Sequence, residues 1–431
     1  MRWLSVYSNP KVVSLFFLGF SSGLPLLLVF STLSFWLREA GIDKASIGML
    51  SWVALAYAIK FLWSPLIDQF KLPLLNKLFG RRRSWMLTSQ IAIMLSLFAM
   101  GLANPSESLF IFALLAVVVA FSSATQDIVI DAYRIDAAPT DLQAAMAATY
   151  LAGYRIAMIV SGAGSLVIAA WLSPSIEEYS NQAWQQTYQI MAFLLLPGLL
   201  TTLLVKEPEA VTSSENNKAK TFIQHFTHAF WQPVSDFFIR YGKIAIPLIC
   251  LISLYRLSDV VMGVMANPFY IDTGFNKTEI ASIAKVYGVI MTLAGAAIGG
   301  IILKQKGTLF GLFVGGLLAA LTNVFFVSLS MVGPNLTLLT AVISIDNLSA
   351  GIATAAFIAF LSGLTNKEFS ATQYAIFSST MLLLPKFVAG FSGFAVEAYD
   401  YTAFFIGTAV LGLPALGLII YLAKHKTKIN L

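Results

Sequence analysis

Read from its N-terminus, the chain alternates between long apolar runs and short polar connections. A helix that crosses a hydrocarbon layer needs about 20 mostly apolar residues. Twelve stretches meet that requirement, at roughly 12–36, 45–66, 84–103, 108–132, 142–172, 184–205, 244–270, 279–303, 308–332, 336–364, 371–396 and 402–423. The first follows only Arg2 and Lys11 and lacks a clear small-residue cleavage site, so it reads as a retained helix, not a signal peptide. The pattern predicts an all-α membrane protein with twelve transmembrane helices.

One long polar interruption breaks the series, between the sixth and seventh runs: "KEPEAVTSSENNKAKTFIQHFTHAFWQPVSDFFIRYGK", residues 206–243. Its first part is linker-like. In its second part Phe222, Phe226, Phe230, Val234 and Phe237 recur at helical spacing, which predicts an amphipathic helix on the cytoplasmic surface, kinked or restarted at Pro233. The expected domains are a six-helix bundle over 1–205, the linker over 206–243, and a second six-helix bundle over 244–431. A weak internal repeat agrees: "DKASIG" (43–48) precedes the second run and "NKTEIA" (276–281) the eighth. Six plus six helices around a cytoplasmic linker is the layout of parallel-repeat transporters of the major facilitator type.

Composition narrows the class. The chain is 58% hydrophobic and 11% charged, against about 45–50% and about 25% in soluble domains. A single cysteine, Cys250, excludes an intrachain disulfide framework and a cysteine-rich metal site. His225, His228 and His425 fall in expected loops or the tail, so no metal centre or cofactor is expected in the membrane. The net charge of +6 does not point to nucleic acid, because the cations sit in short connections. Nineteen Lys and Arg lie on the side that holds both termini and three on the other. By the positive-inside rule both termini are cytoplasmic.

Five cations remain inside the runs, Lys60, Arg155, Arg256, Lys285 and Lys386, and with them lie Asp127, Asp131, Asp259 and Asp346. Each costs roughly 2.5–3.5 kcal/mol at a helix centre on the insertion scale, so they must face one another or a wet cavity. Asp127 and Asp131 share a helical face, with Arg134 next along it. Asp131, Arg134 and Asp136 approach the cytoplasmic boundary and read as a charge network there. Asp127 lies deeper. Burial disfavours a charged carboxylate and a nearby cation favours it, so a movement that trades one for the other changes its proton occupancy. A proton carrier and a permanent ion pair with Arg155 or another cation both remain open for it. Arg256 and Asp259 are three apart and can pair with each other. Lys60 can snorkel toward the boundary near Asp68. Lys285 and Lys386 have no acid beside them on the same face, which makes them the stronger candidates for an anionic ligand, and Asp346 can pair with one of them or take a proton. Gln126, beside Asp127, joins the candidate binding residues. Gly295-x-x-x-Gly299 and Gly311-x-x-x-Gly315 permit close helix contact, and Pro25 and Pro385 are expected to kink their helices.

The connection "SPLIDQFKLPLLNKLFGRRRSW" (64–85) resembles the signature loop of the major facilitator superfamily, through Asp68, Gly80, Arg81, Arg82 and Arg83. The spacing between the acid and the Gly-Arg-Arg is longer than usual. With "GFSSGLPL" (19–26), "KFLWSPLID" (60–68), "ATQDIVIDAYRID" (124–136), "GYRIAMIVSG" (153–162), "LYRLSD" (254–259), "GIATAAFIAFL" (351–361), "NKEFSATQYA" (366–375) and "VEAY" (396–399), the chain resembles the AmpG muropeptide permeases over nearly its whole length. That resemblance implies proton-driven import of N-acetylglucosaminyl-1,6-anhydro-N-acetylmuramyl peptides across a bacterial inner membrane for cell-wall recycling, and a role in β-lactamase induction where such a system exists. It implies a cytoplasmic latch at Asp68, Gly80, Arg81, Arg82, Arg83, Asp131 and Arg134. Lys60, Arg155, Lys285 and Asp127 carry over as cavity candidates; at Arg256 the family often has Lys. Trp36, Trp52, Tyr57, Trp63, Tyr150 and Tyr154 offer flat faces for sugar rings or anchor helix ends at the membrane interface. A monomer is expected. The alternative is a related carrier for another bulky anion, such as acetyl-coenzyme A. An enzyme is not expected, since no nucleophile or metal constellation stands in the runs.

Overall fold

The computed structural model describes residues 8–137, 140–175, 179–208, 222–366 and 370–425. Every regular element among them is helical. All twelve expected spans are helices, several of them broken, and ten helical stretches are long and apolar enough to cross a membrane. The third and eleventh spans, Arg81–Met100 and Ser370–Ala389, complete the set. The first span is Pro10–Leu28 and Ser31–Glu39, with Pro25 inside the first helix, and the eleventh contains Pro385; both helices continue past their prolines for one turn. The fifth contains a π-helical turn, Val160–Gly164, and the eighth another, Ile280–Tyr287. The twelfth begins beyond Asp400, which sits at φ 69° inside Ser392–Lys424 and caps the next turn by accepting from Ala403 N at 2.9 Å.

The chain packs as two compact units that are not contiguous in sequence. Unit one comprises Met1–Ile42, Ile59–Glu215 and Asn276–Ala281. Within it the first span lies directly on the fifth: Gly19 and Gly23 abut the backbone of Tyr150 and Tyr154, and Gly153 abuts that of Phe16. Third and fourth spans run antiparallel, with Arg82 Nε 3.0 Å from Asp136 Oδ2 fixing their register. Trp36, fully buried, stacks on Trp184 at 5.8 Å and packs on Tyr188 at 4.7 Å. It is core, and offers no face to a sugar.

Unit two comprises Asp43–Ala58, Asn216–Phe275 and Ser282–Leu431. The glycine pairs do what their spacing predicts. Gly295 and Gly299 meet the tenth span at Leu348 and Ile352, and Gly315 meets it at Ala353. Around them Leu251, Tyr255, Leu312, Phe357 and Phe360 form a buried core, with Tyr255 stacked on Phe357 at 4.7 Å. The expected amphipathic helix is Phe222–Tyr241, which continues through Pro233 without restarting. Its C-terminal half is docked: Phe237 is buried against Phe377, and Gln373 Nε2 donates to Pro233 O and to Asp236 Oδ2, each at 2.8 Å. The side chains of Phe222, Phe226 and Phe230 lie outside the described residues.

Candidate functional site

Asp127 sits on the buried face of the fourth span, Leu109–Ala137, at 8% exposure. The first span delivers Ser22, whose hydroxyl donates to Asp127 Oδ1. The fifth span delivers Tyr150, whose hydroxyl lies 3.0 Å from Ser22 Oγ. Lys60 Nζ lies 3.8 Å from Asp127 Oδ2. Lys60 therefore turns into the unit instead of snorkelling. Of the cations left open as partners of Asp127 it is Lys60 that stands beside it; Arg155 is exposed and contacts Met158 Sδ at 3.9 Å. The cluster owes its geometry to the glycines of the first and fifth spans. Helix axes separated by side chains could not bring Ser22 and Tyr150 so close. Sequence reasoning missed both hydroxyls as partners, although Ser22 stands in the "GFSSGLPL" block.

Gln126 is fully buried beside this cluster, with Nε2 donating to Ser21 Oγ at 3.2 Å and Oε1 unpartnered. Trp63 donates to Thr125 Oγ1 at 3.1 Å and stacks on Phe121.

Unit two has its own embedded charges. Arg256 Nε stands 3.8 Å from Asp259 Oδ2, the pairing their spacing allows, while Arg256 Nη1 donates to Thr354 Oγ1 at 2.7 Å. Lys285 lies in the π-helical stretch and donates to Asn267 Oδ1 at 3.0 Å. Asp346 accepts from Thr322 Oγ1 at 3.3 Å. Lys386 donates to Ala54 O at 2.9 Å and lies 5.5 Å from the Tyr57 ring centroid. Among the described residues no carboxylate lies within ion-pairing distance of Arg155 or Lys285. These two cations keep charge to offer an anion.

The residues expected to form a cytoplasmic latch gather at the start of the third span. Gly80 adopts φ +83°, and a Cβ there would collide with Glu207. Glu207 Oε1 and Oε2 accept from the backbone N–H groups of Arg82 and Arg83 at 2.8 and 3.0 Å, a carboxylate set on a helix N-terminus. Arg82 pairs with Asp136, and Arg83 donates to Thr202 O and Leu203 O. Arg134 pairs with Asp131 at 3.7 Å across an exposed surface. Arg81 opens the third span. The side chain of Asp68 lies outside the described residues.

With this geometry in hand, comparison with known proteins places the chain. The Major Facilitator Superfamily model matches residues 15–384. A protein named anhydromuropeptide permease in Escherichia coli strain K12 is 37% identical over 99% of this chain and 82% of its own. One named AmpG 4 in Rickettsia conorii is 36% identical over 100% of both. The chain belongs to the AmpG family of the major facilitator superfamily. Among solved structures, a bacterial homologue of the human lysosomal transporter Spinster, inward-facing and unoccupied, aligns with a TM-score of 0.69 at 15% identity, covering 98% of each chain. A POT family transporter aligns at 0.67, covering 99% of this chain and 96% of its own. At such identities these two report the fold alone. An AmpG-family chain is a multi-pass transporter, so the embedded charges just described are set in a protein that moves a solute.

Proposed function

We propose that the protein imports anhydromuropeptides across the bacterial inner membrane by alternating access, in symport with protons. The observation that carries the solute is the 37% identity, over 99% of the chain, to the Escherichia coli permease of that name. The embedded cations are consistent with it: a muropeptide carries stem-peptide carboxylates, and among the described residues no carboxylate pairs with Arg155 or Lys285. Proton coupling rests on the Asp127 cluster. A buried carboxylate held by one lysine and one hydroxyl exchanges its counter-charge for a proton if Lys60 moves away. Asp259 and Asp346 are the second candidates. In this reading 1–205 and 244–431 act as the two bundles joined by 206–243, both termini are cytoplasmic, the working unit is a monomer, and no covalent chemistry takes place.

The test is uptake into proteoliposomes of labelled anhydromuropeptide and, in parallel, of labelled acetyl-coenzyme A, with and without an imposed pH gradient. Gradient-dependent accumulation of the first and not the second is expected. In Asp127→Asn, accumulation collapses while counterflow exchange persists. Saturable uptake of acetyl-coenzyme A alone would overturn the solute assignment. Unchanged accumulation in Asp127→Asn would move the proton site to Asp259 or Asp346.

A further inference from the structure

Three helix ends meet at one corner of unit one. The first span begins at Pro10, the fourth ends at Ala137 and the sixth ends at Leu204. The ends of spanning helices lie where hydrocarbon gives way to lipid headgroups. Between these three ends is a cleft of about 860 Å³, lined throughout by residues of unit one. One part of its wall is apolar: Val13, Phe17 and Leu204 are large, hydrophobic and exposed. On a spanning helix such side chains face acyl chains, and Phe17 stands about 10 Å along the helix from Pro10. The cleft therefore runs from the headgroup level into the hydrocarbon. The other part of its wall is polar and carries Asn9, Lys11 and Lys206.

The charges at the polar end are unbalanced. Both acids of the lining are engaged by the third span: Glu207 accepts from the N–H groups of Arg82 and Arg83, and Asp136 accepts from Arg82 Nε at 3.0 Å. The lysines have no such counter-charge. Lys11 Nζ donates to Ala137 O at 2.6 Å, a neutral partner that fixes its position and leaves two of its three N–H groups free to donate. Tyr133, 3% exposed, donates to Lys206 O at 3.4 Å and so ties the end of the sixth span to the fourth. The Lys206 ammonium itself has no partner among the described residues. With the arginines that engage the acids included, four cations stand against two carboxylates at this corner.

We infer that this cleft binds one membrane phospholipid with an anionic headgroup, its phosphate neutralised by Lys11 and Lys206 and an acyl chain laid along Val13, Phe17 and Leu204. A basic pocket between spanning helices at the headgroup level suits that chemistry. A soluble phosphate would leave the apolar wall unused. A zwitterionic headgroup would bring an ammonium to two lysines, with both nearby carboxylates already taken. The bound lipid joins three helix ends of one bundle and holds the point where the polar stretch 206–243 leaves it. The site is separate from the Asp127 cluster and rests only on the chain's place in a membrane, not on its solute or on protons.

The test follows binding of dioleoylphosphatidylglycerol to the delipidated full chain in a neutral detergent, by native mass spectrometry and by the rise in melting midpoint, with dioleoylphosphatidylethanolamine alongside. The tightest phosphatidylglycerol site should weaken about fivefold in Lys11→Gln or Lys206→Gln and about 25-fold in the two together. Lys304→Gln with Lys306→Gln removes two exposed lysines at the end of the eighth span and should leave that site as in the parent. Thr201→Phe fills the cleft from the sixth span with both lysines in place, and should remove the tight site. Parent-like affinity in the folded Lys11→Gln, Lys206→Gln protein and in Thr201→Phe overturns the inference, as does an equal loss in the Lys304→Gln, Lys306→Gln control. Equally tight phosphatidylethanolamine overturns the headgroup assignment. Glycerol 1-phosphate raising the melting midpoint as far as the lipid does would give the cleft to a soluble anion and overturn the lipid. No solute is present in these measurements, so a parent that binds the lipid but fails to take up anhydromuropeptide counts against the proposed function alone.

Discussion

Gly19 faces the carbonyl oxygen of Tyr150 so closely that a Cβ on the glycine would fall inside that oxygen's van der Waals surface. The contact sets how near the first span comes to the fifth, and so how near Ser22 comes to Tyr150. A backbone atom cannot yield as a flexible side-chain end can. Gly19→Ala should lower the stability of the detergent-solubilised protein by about 1–3 kcal/mol, the usual cost of overpacking, and uptake should fall with it. Gly417→Ala, where nothing lies within 4 Å, is the matched control and should leave both unchanged. A thermal-shift series on the two variants measures this.

Lys60 and Asp127 form a pair whose strength is limited by water. The lysine side chain keeps 36% exposure and the aspartate 11%. In a double-mutant cycle of Lys60→Met and Asp127→Asn, the coupling should come to about 1–2 kcal/mol, below the 3–5 kcal/mol seen when a fully buried pair loses a partner. Chemical denaturation of the four proteins gives the value. A coupling near zero would mean that the two groups are not partners in the membrane-embedded protein.

Arg155 and Lys285 lack carboxylate partners among the described residues, so their loss should register in substrate binding before stability. Arg155→Gln and Lys285→Gln should each raise KM about tenfold for a ligand with free stem-peptide carboxylates. The same ligand with those carboxylates amidated should lose little. Equal losses for both ligands would assign these cations a role other than carboxylate recognition.

Glu207 places both carboxylate oxygens on N–H groups at the start of the third span. Glu207→Ala removes a helix cap and its favourable dipole interaction together, which should cost about 1–2 kcal/mol. Glu207→Gln, still an acceptor, should lose less. Comparing their melting midpoints with their KM values separates this structural role from transport, since KM is expected to stay constant in the folded fraction.

Much of the architecture was legible because membrane insertion is read from composition in a window, without knowledge of neighbours. Leu336–Leu364 begins and ends at the residues that hydropathy indicates. Gly295, Gly299 and Gly315 lie in helix contacts for the same reason: a missing side chain announces itself in one dimension. The charged residues were legible as embedded but not as partners. Lys60 had a snorkelling reading and turned inward to Asp127, while Arg155, one of the cations left open as a partner, stayed apart. Glu207 sat unnoticed at the head of a linker, because its role depends on a helix end reached more than a hundred residues earlier in the chain.

By itself, then, the amino-acid sequence determined that this chain crosses a membrane many times, where its helices run, and which ionisable groups lie within them, since the cost of burying a polar group in hydrocarbon acts residue by residue. Tertiary structure alone decided who meets whom: Ser22 with Asp127, Glu39 with Lys277, Asp272 with Lys44. Those choices depend on the rotation and depth of each helix, which many contacts set jointly and no local pattern encodes.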